Sequence, residues 1–247
     1  MKSLVVTGGG RGIGRATALL AARAGSAVTL SYVADEAAAR ATVAEIEALG
    51  GQALAMRADT AAEADVIALF DAAAARFWGI DGVVVNAGIV GPAAMLADME
   101  LDRLRRMFDV NLLGALLTAR EAARRLPRDR GGTGGAIVLV SSIAARLGAP
   151  FEYVDYAATK GALDSLTIGL SKELAPQGVR VNAVRPGLIE TDIHASGGRP
   201  DRAQNLGAQT PIGRAGTADE VAEAILWLLG DASSYVTGAF IDIGGGR

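Results

Sequence analysis

A glycine-rich turn lies between an apolar run and a helical pattern near the start of the chain. Residues 7–14 (TGGGRGIG) follow the strand-like run at 4–6 and precede an Ala/Leu-rich run with helical spacing. Backbone N–H groups at the start of a helix are unpaired and attract an anion, and glycine lets a phosphate approach without a Cβ in the way. The spacing of Gly8, Gly12 and Gly14 therefore predicts a strand–turn–helix unit that binds a phosphate. A glycine-rich turn without a ligand is the plainer alternative.

Strand-like and helix-like runs alternate along the whole chain. Strands are predicted at residues 4–7, 27–32, 52–56, 82–86, 136–141, 180–184 and 239–243. Several are rich in valine throughout, as expected of parallel strands that are covered on both faces. The alternation predicts an α/β protein with a single-domain, doubly wound Rossmann-type fold, in which an about seven-stranded parallel sheet carries helices on both faces. No linker, repeat or change in composition divides residues 1–247.

Capping residues mark several helix boundaries. Asp35 is a good N-cap for the second helix, which is expected to end at Gly50-Gly51. Thr60 and Glu63 have the spacing of a capping box at the start of the third helix. The segment 188–209 is long, polar and glycine-bearing. It is expected to be a mobile cover over the ligand site, which in such a sheet lies at the carboxyl ends of the strands.

Composition excludes several classes of function. A net charge of −3, from 24 Lys and Arg against 27 Asp and Glu, offers no electrostatic reason to bind nucleic acid. The chain has no cysteine and a single histidine, so neither a disulfide framework nor a transition-metal site is expected. No uncharged apolar run approaches the ~18 residues of a membrane span, and the first strand begins too close to Met1 to leave room for a signal peptide. The protein is therefore expected to be soluble and cytoplasmic.

Tyr156 and Lys160 lie four residues apart in a predicted helix at 155–175, so they share one helical face. A nearby ammonium stabilises the phenolate and lowers the pKa of a tyrosine from its usual ~10. Such a phenol exchanges a proton with an alcohol oxygen near neutral pH, and Ser142, just after the fifth strand, is placed to hydrogen-bond the same oxygen. These residues indicate interconversion of an alcohol and a carbonyl with a nicotinamide. Tyr153 has no lysine one turn along, and a simple surface pair is the plainer alternative.

Six patterns occur in order along the chain. They are TGxxxGxG at 7–14, Asn86-Ala87-Gly88, the Asn of Asp109-Val110-Asn111, Ser142, Tyr156-x-x-x-Lys160, and Pro186-Gly187 followed by Thr191. In this combination the chain resembles the short-chain dehydrogenase/reductase family over essentially all of its 247 residues. Within that family it is most similar to the glucose dehydrogenase and 3-oxoacyl-carrier-protein reductase branch. The resemblance implies one NAD(P)-binding Rossmann-type catalytic domain over residues 1–247, with the activity of a short-chain alcohol dehydrogenase/carbonyl reductase.

The resemblance implies a catalytic tetrad. Tyr156 is expected to be the acid/base, and Lys160 to lower its pKa and to bind the nicotinamide ribose. Ser142 is expected to position the substrate oxygen. Asn111 is expected to anchor a water that links Lys160 to solvent, and to open a kink in its helix. From the residues alone, a helical asparagine satisfied by the backbone is the simpler interpretation of Asn111.

The resemblance also implies a cofactor site. The expected contacts are Gly8, Arg11, Gly12, Ile13, Gly14, Ser31, Tyr32, Asp59, Thr60, Asn86, Ala87, Gly88, Tyr156, Lys160, Pro186, Gly187, Ile189 and Thr191. Among them, Asp59 is expected to bond the adenine amino group. The second strand ends in Ser31-Tyr32-Val33, without the acid that usually binds the ribose 2′-hydroxyl of NAD, whereas Arg11 is placed to pair with a 2′-phosphate. These residues favour NADP(H), while use of NAD(H) and an Arg11 that merely faces solvent stay open.

Substrate contacts are expected from Ser142, Tyr153 and His194, and no metal is expected. His194 lies in the polar segment 188–209, where simple exposure to solvent is the alternative. The spacing from Ser142 to Tyr156 is about one residue longer than is commonest in the family, so residues 151–155 are expected to bulge toward the substrate.

Arg103, Arg105 and Arg106 are expected to form a solvated helix face.

Two other helices have surfaces that suggest contact with partner subunits. The runs at 112–119 and 162–169 are apolar or small around much of their circumference, which is typical of helices covered on more than one side. In the family such helices commonly pair across two-fold axes, so a homotetramer is expected.

Three functions are weighed. The favoured one is an NADP(H)-dependent dehydrogenase/reductase that acts on a small polar substrate such as a sugar, a polyol or a hydroxy ketone. A 3-oxoacyl-carrier-protein reductase would need a basic docking surface near the cleft, where Gln177 stands in place of an expected base and only Arg128 and Arg130 are left to contribute. A non-catalytic nucleotide-sensing protein is the alternative from another class, and the intact set of Ser142, Tyr156 and Lys160 argues against it.

Overall fold

Seven parallel strands form one sheet at the centre of the computed structural model, which describes residues 2–247 apart from the side chains of His194 and Ser196. The strands are β1 Ser3–Val6, β2 Ala27–Tyr32, β3 Ala53–Arg57, β4 Gly82–Val85, β5 Gly135–Val140, β6 Val179–Pro186 and β7 Phe240–Ile243. Their order across the sheet is β3-β2-β1-β4-β5-β6-β7. The chain thus starts in the middle of the sheet, winds to one edge, and returns to wind to the other. This confirms the predicted fold class, and all seven predicted strands are present with ends that differ by two residues at most.

The helices cover both faces of the sheet. They are α1 Gly12–Arg23, α2 Glu36–Ala48, α3 Glu63–Phe77, α4 Leu101–Phe108, α5 Gly114–Arg125, α6 Ala144–Leu147, α7 Val154–Leu174, α8 Ile193–Ser196, α9 Arg202–Gly207 and α10 Ala218–Leu229. On one face the core joins α3, α5 and α7 to the sheet, and on the other it joins α1, α2 and α10. Among the described helices, none is both long and apolar enough to cross a bilayer.

The valine-rich strands divide their side chains between the two cores. In β4, Val83 and Val85 belong to the core beneath α3, α5 and α7, whereas Val84 belongs to the core beneath α1 and α10. Successive residues of a strand point to opposite faces, so a strand that is covered twice must be apolar at every position. The continuous apolar runs in the sequence follow from this arrangement.

Two predicted helix boundaries had different outcomes. The carboxylate of Asp35 accepts a hydrogen bond of 2.9 Å from the Ala38 N–H, which confirms its role as the N-cap of α2. The prediction of a capping box at Thr60 and Glu63 is wrong, because α3 has Ala62 as its N-cap and no side chain caps the helix. Thr60 is buried instead, and its hydroxyl lies so close to Gly114 that a Cβ there would approach it to 2.7 Å.

The segment 188–209 contains two short helices, α8 and α9. Its first residues are attached to the body of the protein by a short parallel bridge between Ile189 and Gly216. The Gly216 N–H donates to the Leu188 carbonyl at 2.9 Å, and the Glu190 N–H donates to the Gly216 carbonyl at the same distance. The sequence could predict the place of this segment, but its helices are too short to leave a periodic pattern.

Replacement of Phe70 by alanine tests the core beneath α3. The ring is fully buried between α3, α5 and the sheet. Its removal leaves a cavity, so Phe70→Ala is expected to lower the free energy of unfolding by about 3–5 kcal/mol, measured by denaturant titration. Trp78, which follows α3 and is 95% exposed, is the control, and Trp78→Ala should change the same quantity by less than about 0.5 kcal/mol. Equal effects of the two substitutions would contradict the packing described here.

Candidate active site

A cavity of about 690 Å³ opens at the carboxyl ends of the strands. The turn after β1 and the residues that follow β2, β4, β5 and β6 line it, together with the first turns of α7. Loops at this edge are free to present side chains because the rigid sheet ends beneath them. All the predicted cofactor residues line this one cavity with the exception of Gly14.

Two glycines of the turn have backbone conformations that other residues rarely adopt. Gly8 and Gly12 have positive φ angles of 67° and 53°, which side chains rarely adopt. Gly14 does not line the cavity, but a Cβ there would overlap the Gly8 carbonyl oxygen and come within 2.6 Å of the Asn86 amide nitrogen. Its role is therefore to let α1 pack against the turn rather than to touch a ligand.

The start of α1 fits an anionic group. Arg11 is the N-cap of this 12-residue helix, and its side chain makes no hydrogen bond to the first turn. The first backbone N–H groups of α1 are thus left for another partner at the end where the helix dipole is positive. Together with the space that Gly12 leaves open, this donor set suits the pyrophosphate of a dinucleotide.

Thr7 joins the glycine turn to the turn after β4. Its hydroxyl oxygen accepts hydrogen bonds from the N–H groups of Asn86 (3.0 Å) and Ala87 (3.1 Å). The Asn86 side-chain amide returns to the first turn and donates to the carbonyls of Thr7 (2.8 Å) and Gly8 (3.2 Å). In the sequence Thr7 is recognisable only as part of the glycine motif. Its role in holding the two turns together could not be predicted, because its partner lies almost 80 residues away.

Ser31 is buried, lines the cavity and supports the glycine turn. Its Oγ accepts the Gly8 N–H at 3.1 Å. Arg11 and Asp35 line the same cavity with exposed charged side chains. Asp59 lies farther along, partly exposed, with one carboxylate oxygen held at 3.0 Å by the Ala61 N–H.

Tyr156 and Lys160 both line the cavity from the first turns of α7, as their spacing predicts. Tyr156 is partly exposed, whereas Lys160 is buried with its ammonium 5.4 Å from the centre of the Tyr156 ring. The ammonium donates a hydrogen bond of 2.7 Å to the Val140 carbonyl at the end of β5. The lysine is therefore held against the sheet, one helical turn behind the phenol.

The structure differs from the expectation that Lys160 lowers the pKa of Tyr156. Burial raises the pKa of the Tyr156 phenol above its ordinary value, and a hydrogen bond with the Ser142 hydroxyl opposes that rise in part. Burial also lowers the pKa of Lys160 to about 8, although the carboxylate of Asp164 acts in the opposite direction. Desolvation thus dominates for both groups, and it disfavours the charged form of each.

Asn111 lies in a single π-helical turn, Asp109–Leu113, between α4 and α5, which confirms the expected distortion of its helix. Its side chain is buried and does not line the cavity. The amide binds both backbone groups of Ile89, accepting from the N–H at 2.8 Å and donating to the carbonyl at 2.9 Å. It also lies 3.5 Å from the Thr159 hydroxyl of α7. Asn111 therefore connects three elements of the site.

Ser142 and Pro186 bring two strand ends together beside Tyr156. The Ser142 Oγ accepts the Ala144 N–H at 3.1 Å and lies 3.4 Å from the Pro186 carbonyl. After Pro186, the chain runs so close to Gly244 that a Cβ at Gly187 would come within 2.8 Å of its backbone. The side chain of His194, which was expected to touch the substrate, lies outside the part of the chain that the structure describes.

The chain bulges at residues 149–153, whereas the predicted bulge at 151–155 included two residues, Val154 and Asp155, that belong to α7. Ala149 and Phe151 have positive φ angles of 43° and 66°, and the Phe151 ring is 76% exposed on the outside of the cavity wall. The inner side of the bulge is lined by Pro150, Glu152 and Tyr153. Glu152 and Tyr153 thus place a polar and an aromatic group on the cavity wall.

A cluster of charges links the bulge to α9. Glu152 accepts from Arg199 at 2.6 Å through one carboxylate oxygen and pairs with Arg202 through the other. The Arg202 guanidinium lies 5.1 Å from the centre of the Tyr153 ring, and both Glu152 and Arg202 line the cavity. This arrangement offers a hydrogen-bond acceptor and donors on the cavity wall. Among the described residues, no group of three or more His, Asp or Glu side chains is arranged to hold a metal ion.

One predicted solvated face is only partly correct. Arg105 and Arg106 are exposed, and Arg106 reaches the cavity. The prediction that Arg103 faces solvent is wrong, because only 16% of its side chain is exposed and it pairs with the fully buried carboxylate of Asp155. The helical pattern could not reveal this partner, which is 52 residues away.

Comparison with known proteins agrees with this geometry. A family model described as enoyl-(acyl carrier protein) reductase matches residues 8–247. The structure of a short-chain dehydrogenase from Burkholderia cenocepacia J2315 in complex with NADP superimposes with a TM-score of 0.91 and 36% identity, over 99% of this chain and 97% of that one. The chain belongs to the short-chain dehydrogenase/reductase family. It is accordingly an NAD(P)-binding oxidoreductase of the alcohol dehydrogenase/carbonyl reductase class.

Two curated relatives of this short-chain dehydrogenase/reductase match along their full length. The uncharacterized oxidoreductase YgfF of Escherichia coli (strain K12) is 49% identical over 247 residues, with 100% of each chain covered. The L-rhamnose 1-dehydrogenase (NAD(P)(+)) of Sphingomonas sp. (strain SKA58) is 38% identical over 246 residues, which cover 99% of this chain and 95% of that one.

Replacement of Lys160 by methionine tests how much the burial of its ammonium lowers the free energy of unfolding. The pKa of Lys160 is about 8 in the folded protein and ~10.4 in an unfolded chain. Below pH 8 the ammonium is therefore buried in the folded protein but hydrated in the unfolded chain, which lowers the free energy of unfolding. Lys160→Met is therefore expected to raise the free energy of unfolding by about 1–3 kcal/mol at pH 7. As the pH rises from 8 to 10, the folded wild type loses this proton first, its stability increases, and the advantage of the variant should disappear.

Lys172 is the matched control, because it is an exposed lysine on the same helix. Lys172→Met should change the free energy of unfolding by less than about 0.5 kcal/mol at either pH. A destabilised Lys160→Met at pH 7, or a gain that persists unchanged at pH 10, would contradict the assignment of a desolvated lysine.

Proposed function

We propose that this short-chain dehydrogenase/reductase uses NADP(H) to interconvert a small polar secondary alcohol and its ketone, with Tyr156 as the acid/base. The observation that carries the proposal is the convergence of Tyr156, Ser142 and Lys160 on the same cavity as the glycine turn. In this proposal the cavity holds the cofactor at one wall and the substrate at the other. Residues 1–247 act as a single catalytic domain.

The chain offers a partner for each part of the cofactor. The glycine turn and the start of α1 would hold the pyrophosphate, Asp59 the adenine, and Lys160 the nicotinamide ribose. Pro186, Gly187, Ile189 and Thr191 would line the nicotinamide end. When bound, a nicotinamide supplies or accepts the hydride.

Tyr156 would move the proton. In the direction of reduction, the phenolic O–H bond breaks as the new alcohol O–H bond forms on the substrate oxygen, and the phenolate stays beside the Lys160 ammonium. The Ser142 hydroxyl, already in contact with Tyr156, would donate a hydrogen bond to the same substrate oxygen. Because burial raises the pKa of the phenol, Tyr156 is protonated at neutral pH and ready to act as the acid. Oxidation of the alcohol needs the phenolate and should require a higher pH.

Gly88 supports the proposed proton path from Lys160. A Cβ at this position would lie 3.4 Å from the Asn111 amide oxygen and 3.7 Å from the Lys160 ammonium. Glycine therefore leaves open the space between these two groups, and a water there would have a partner on each side. Asn111 would thus serve as the anchor of a relay that returns a proton to Lys160 and Tyr156.

Removal of the Tyr156 hydroxyl tests the acid/base assignment. Tyr156→Phe is expected to reduce kcat by at least 10²–10³-fold, because the proton then has no positioned donor. The Kd for NADPH, measured by fluorescence titration, should stay within about twofold of the wild type. Tyr235 is completely exposed, so Tyr235→Phe should have the wild-type kcat. Full turnover by Tyr156→Phe would refute the mechanism and would revive the interpretation as a nucleotide-sensing protein.

The preference for NADP(H) rests on Arg11. Its exposed guanidinium stands at the mouth of the adenosine end and can donate charge-assisted hydrogen bonds to a 2′-phosphate. Asp35 faces the same end and would repel that phosphate, but its carboxylate is engaged with the Ala38 N–H. The NADP complex of the Burkholderia relative and the NAD(P)(+) specificity in the name of the rhamnose dehydrogenase are compatible with either preference.

Replacement of Arg11 by alanine measures this preference. The Kd for NADPH should rise by about 10–100-fold, the effect of losing a charge-assisted hydrogen bond worth ~1.5–3 kcal/mol, while the Kd for NADH changes little. Arg23 is exposed at the other end of α1, and Arg23→Ala is the control that should leave both values unchanged. Tighter binding of NADH than of NADPH by the wild type, together with no effect of Arg11→Ala, would refute the preference.

The substrate wall supports a polar substrate. Glu152 can accept from hydroxyl groups and Arg202 can donate to them, so the pair would bind neighbouring hydroxyls of a sugar or polyol. The rhamnose 1-dehydrogenase relative acts on such a compound by its name. A screen of sugars, polyols, hydroxy ketones and acyl thioesters, followed by nicotinamide absorbance with both cofactors, tests this proposal. Turnover of acyl thioesters alone would favour the acyl-carrier alternative.

The alternative of a 3-oxoacyl-carrier-protein reductase has less support from the basic surface. Arg128 and Arg130 precede β5, and Gln177 precedes β6. These residues therefore lie at the amino ends of the strands, at the edge opposite the cavity. The expectation that the two arginines contribute to a docking surface near the cleft is wrong, because parallel strands place the two loops at the far edge.

The remaining proposals concern the setting of the enzyme. We expect a cytoplasmic homotetramer that binds a small molecule rather than nucleic acid or a membrane. Exposed apolar residues at the end of the π-helical turn, on α5 and on α7 are candidates for the contact between subunits; they are Leu113, Leu116 and Ile168. A monomeric mass by light scattering at micromolar concentration would exclude the tetramer.

A further inference from the structure

Arg103 and Asp155 form a bidentate ion pair directly beside Tyr156. The Arg103 Nε lies 2.9 Å from Asp155 Oδ2, and its Nη2 lies 3.2 Å from Oδ1. The carboxylate is fully buried and the guanidinium is only 16% exposed. A buried pair with both oxygens engaged is far more restrictive in geometry than a surface pair.

Arg103 also holds the loop that follows β4. Its Nη1 donates a hydrogen bond to the Pro92 carbonyl. The guanidinium lies against the backbone of Gly91, where an added Cβ would approach it to 3.1 Å. One side chain therefore fixes this loop, α4 and the first turn of α7 relative to one another.

Asn111 makes the same kind of connection one step farther along. It binds the loop at Ile89 and reaches α7 at Thr159, whereas Arg103 binds the loop at Pro92 and α7 at Asp155. Tyr156 lies between the two attachment points on α7. The loop, in turn, continues from Asn86–Gly88, which is bonded to the glycine turn.

We propose that Arg103 and Asp155 are positioning residues that set the distance of the Tyr156 phenol from the turn after β4. Neither side chain lines the cavity, so the pair acts through Tyr156 rather than on a ligand. This inference rests on the proposed role of Tyr156 as the acid/base. Loss of the pair should leave binding intact and misplace the proton donor, which lowers kcat with little change in KM.

The test compares the neutral double variant Arg103→Met/Asp155→Asn with the wild type. Removing both charges avoids leaving a buried carboxylate without a partner, so the double variant should keep a melting temperature close to that of the wild type. Its kcat should fall by at least about 10-fold, while KM and the Kd for NADPH stay within about twofold. Arg103→Lys keeps the charge but loses the bidentate geometry, and its kcat should be intermediate.

A spectroscopic readout separates positioning from stability. The chain has only 4 tyrosines, so ring-labelled protein should give few signals, and Tyr156→Phe identifies that of Tyr156. In the double variant the Tyr156 signal should shift or broaden without any cofactor present, while those of Tyr32 and Tyr235 stay in place. Gly91→Ala, which pushes on the Arg103 guanidinium, should shift the same signal.

Arg105→Met is the control, because Arg105 is an exposed arginine on the same helix, and it should match the wild type in every measurement. A wild-type kcat in the double variant, or an unmoved Tyr156 signal, would overturn the inference. If Tyr156→Phe itself retains full turnover, the proposed function fails first. If Tyr156→Phe is inactive and the double variant is fully active, only the positioning role fails.

Discussion

The Thr7 hydroxyl holds together the two strand ends on which the site depends. β1 and β4 are neighbours in the sheet, but the chain leaves them in opposite directions, so a crevice opens between them. The Thr7 oxygen accepts two N–H groups from the β4 turn, and the Asn86 amide returns two hydrogen bonds to the β1 turn. These four bonds satisfy backbone groups that the end of the sheet would leave unpaired. The glycine turn can therefore keep a fixed shape although it has almost no side chains of its own.

Stability and chemistry make opposite demands at Lys160. The cores on the two faces of the sheet are built from buried apolar side chains, yet the protein also buries the Lys160 ammonium, with the Val140 carbonyl as its hydrogen-bond partner. Burial favours the neutral lysine, which is why its pKa falls to about 8. A residue kept at such a cost is typical of a functional site, where strain or desolvation is compensated by the rest of the fold.

The sequence predicts those features that are encoded in neighbouring residues. The apolar, valine-rich runs predicted the strands, because a strand that is buried on both faces must be apolar along its length. Asp35 predicted the start of α2, because an N-cap acts on the residues next to it. The pair of Tyr156 and Lys160 was found because α7 brings positions four apart onto one face. Interactions between distant residues left no such signal. The pairing of Arg103 with Asp155 could not be predicted from a helix with an amphipathic pattern, and neither could the hydrogen bond from the Gly8 N–H to the Ser31 hydroxyl.

The bulge before Tyr156 separates two tasks within the cavity. The wall that suits a dinucleotide is built mainly from strand ends in the first half of the chain, and those ends are fixed by the sheet. Another part of the wall comes from the bulge and from the later half of the segment 188–209, which are joined by the contacts of Glu152 with Arg199 and Arg202. Changes in length or composition of these two pieces would alter which molecules fit without disturbing the strands. The choice of substrate could therefore change while the strand ends that suit the cofactor stay as they are.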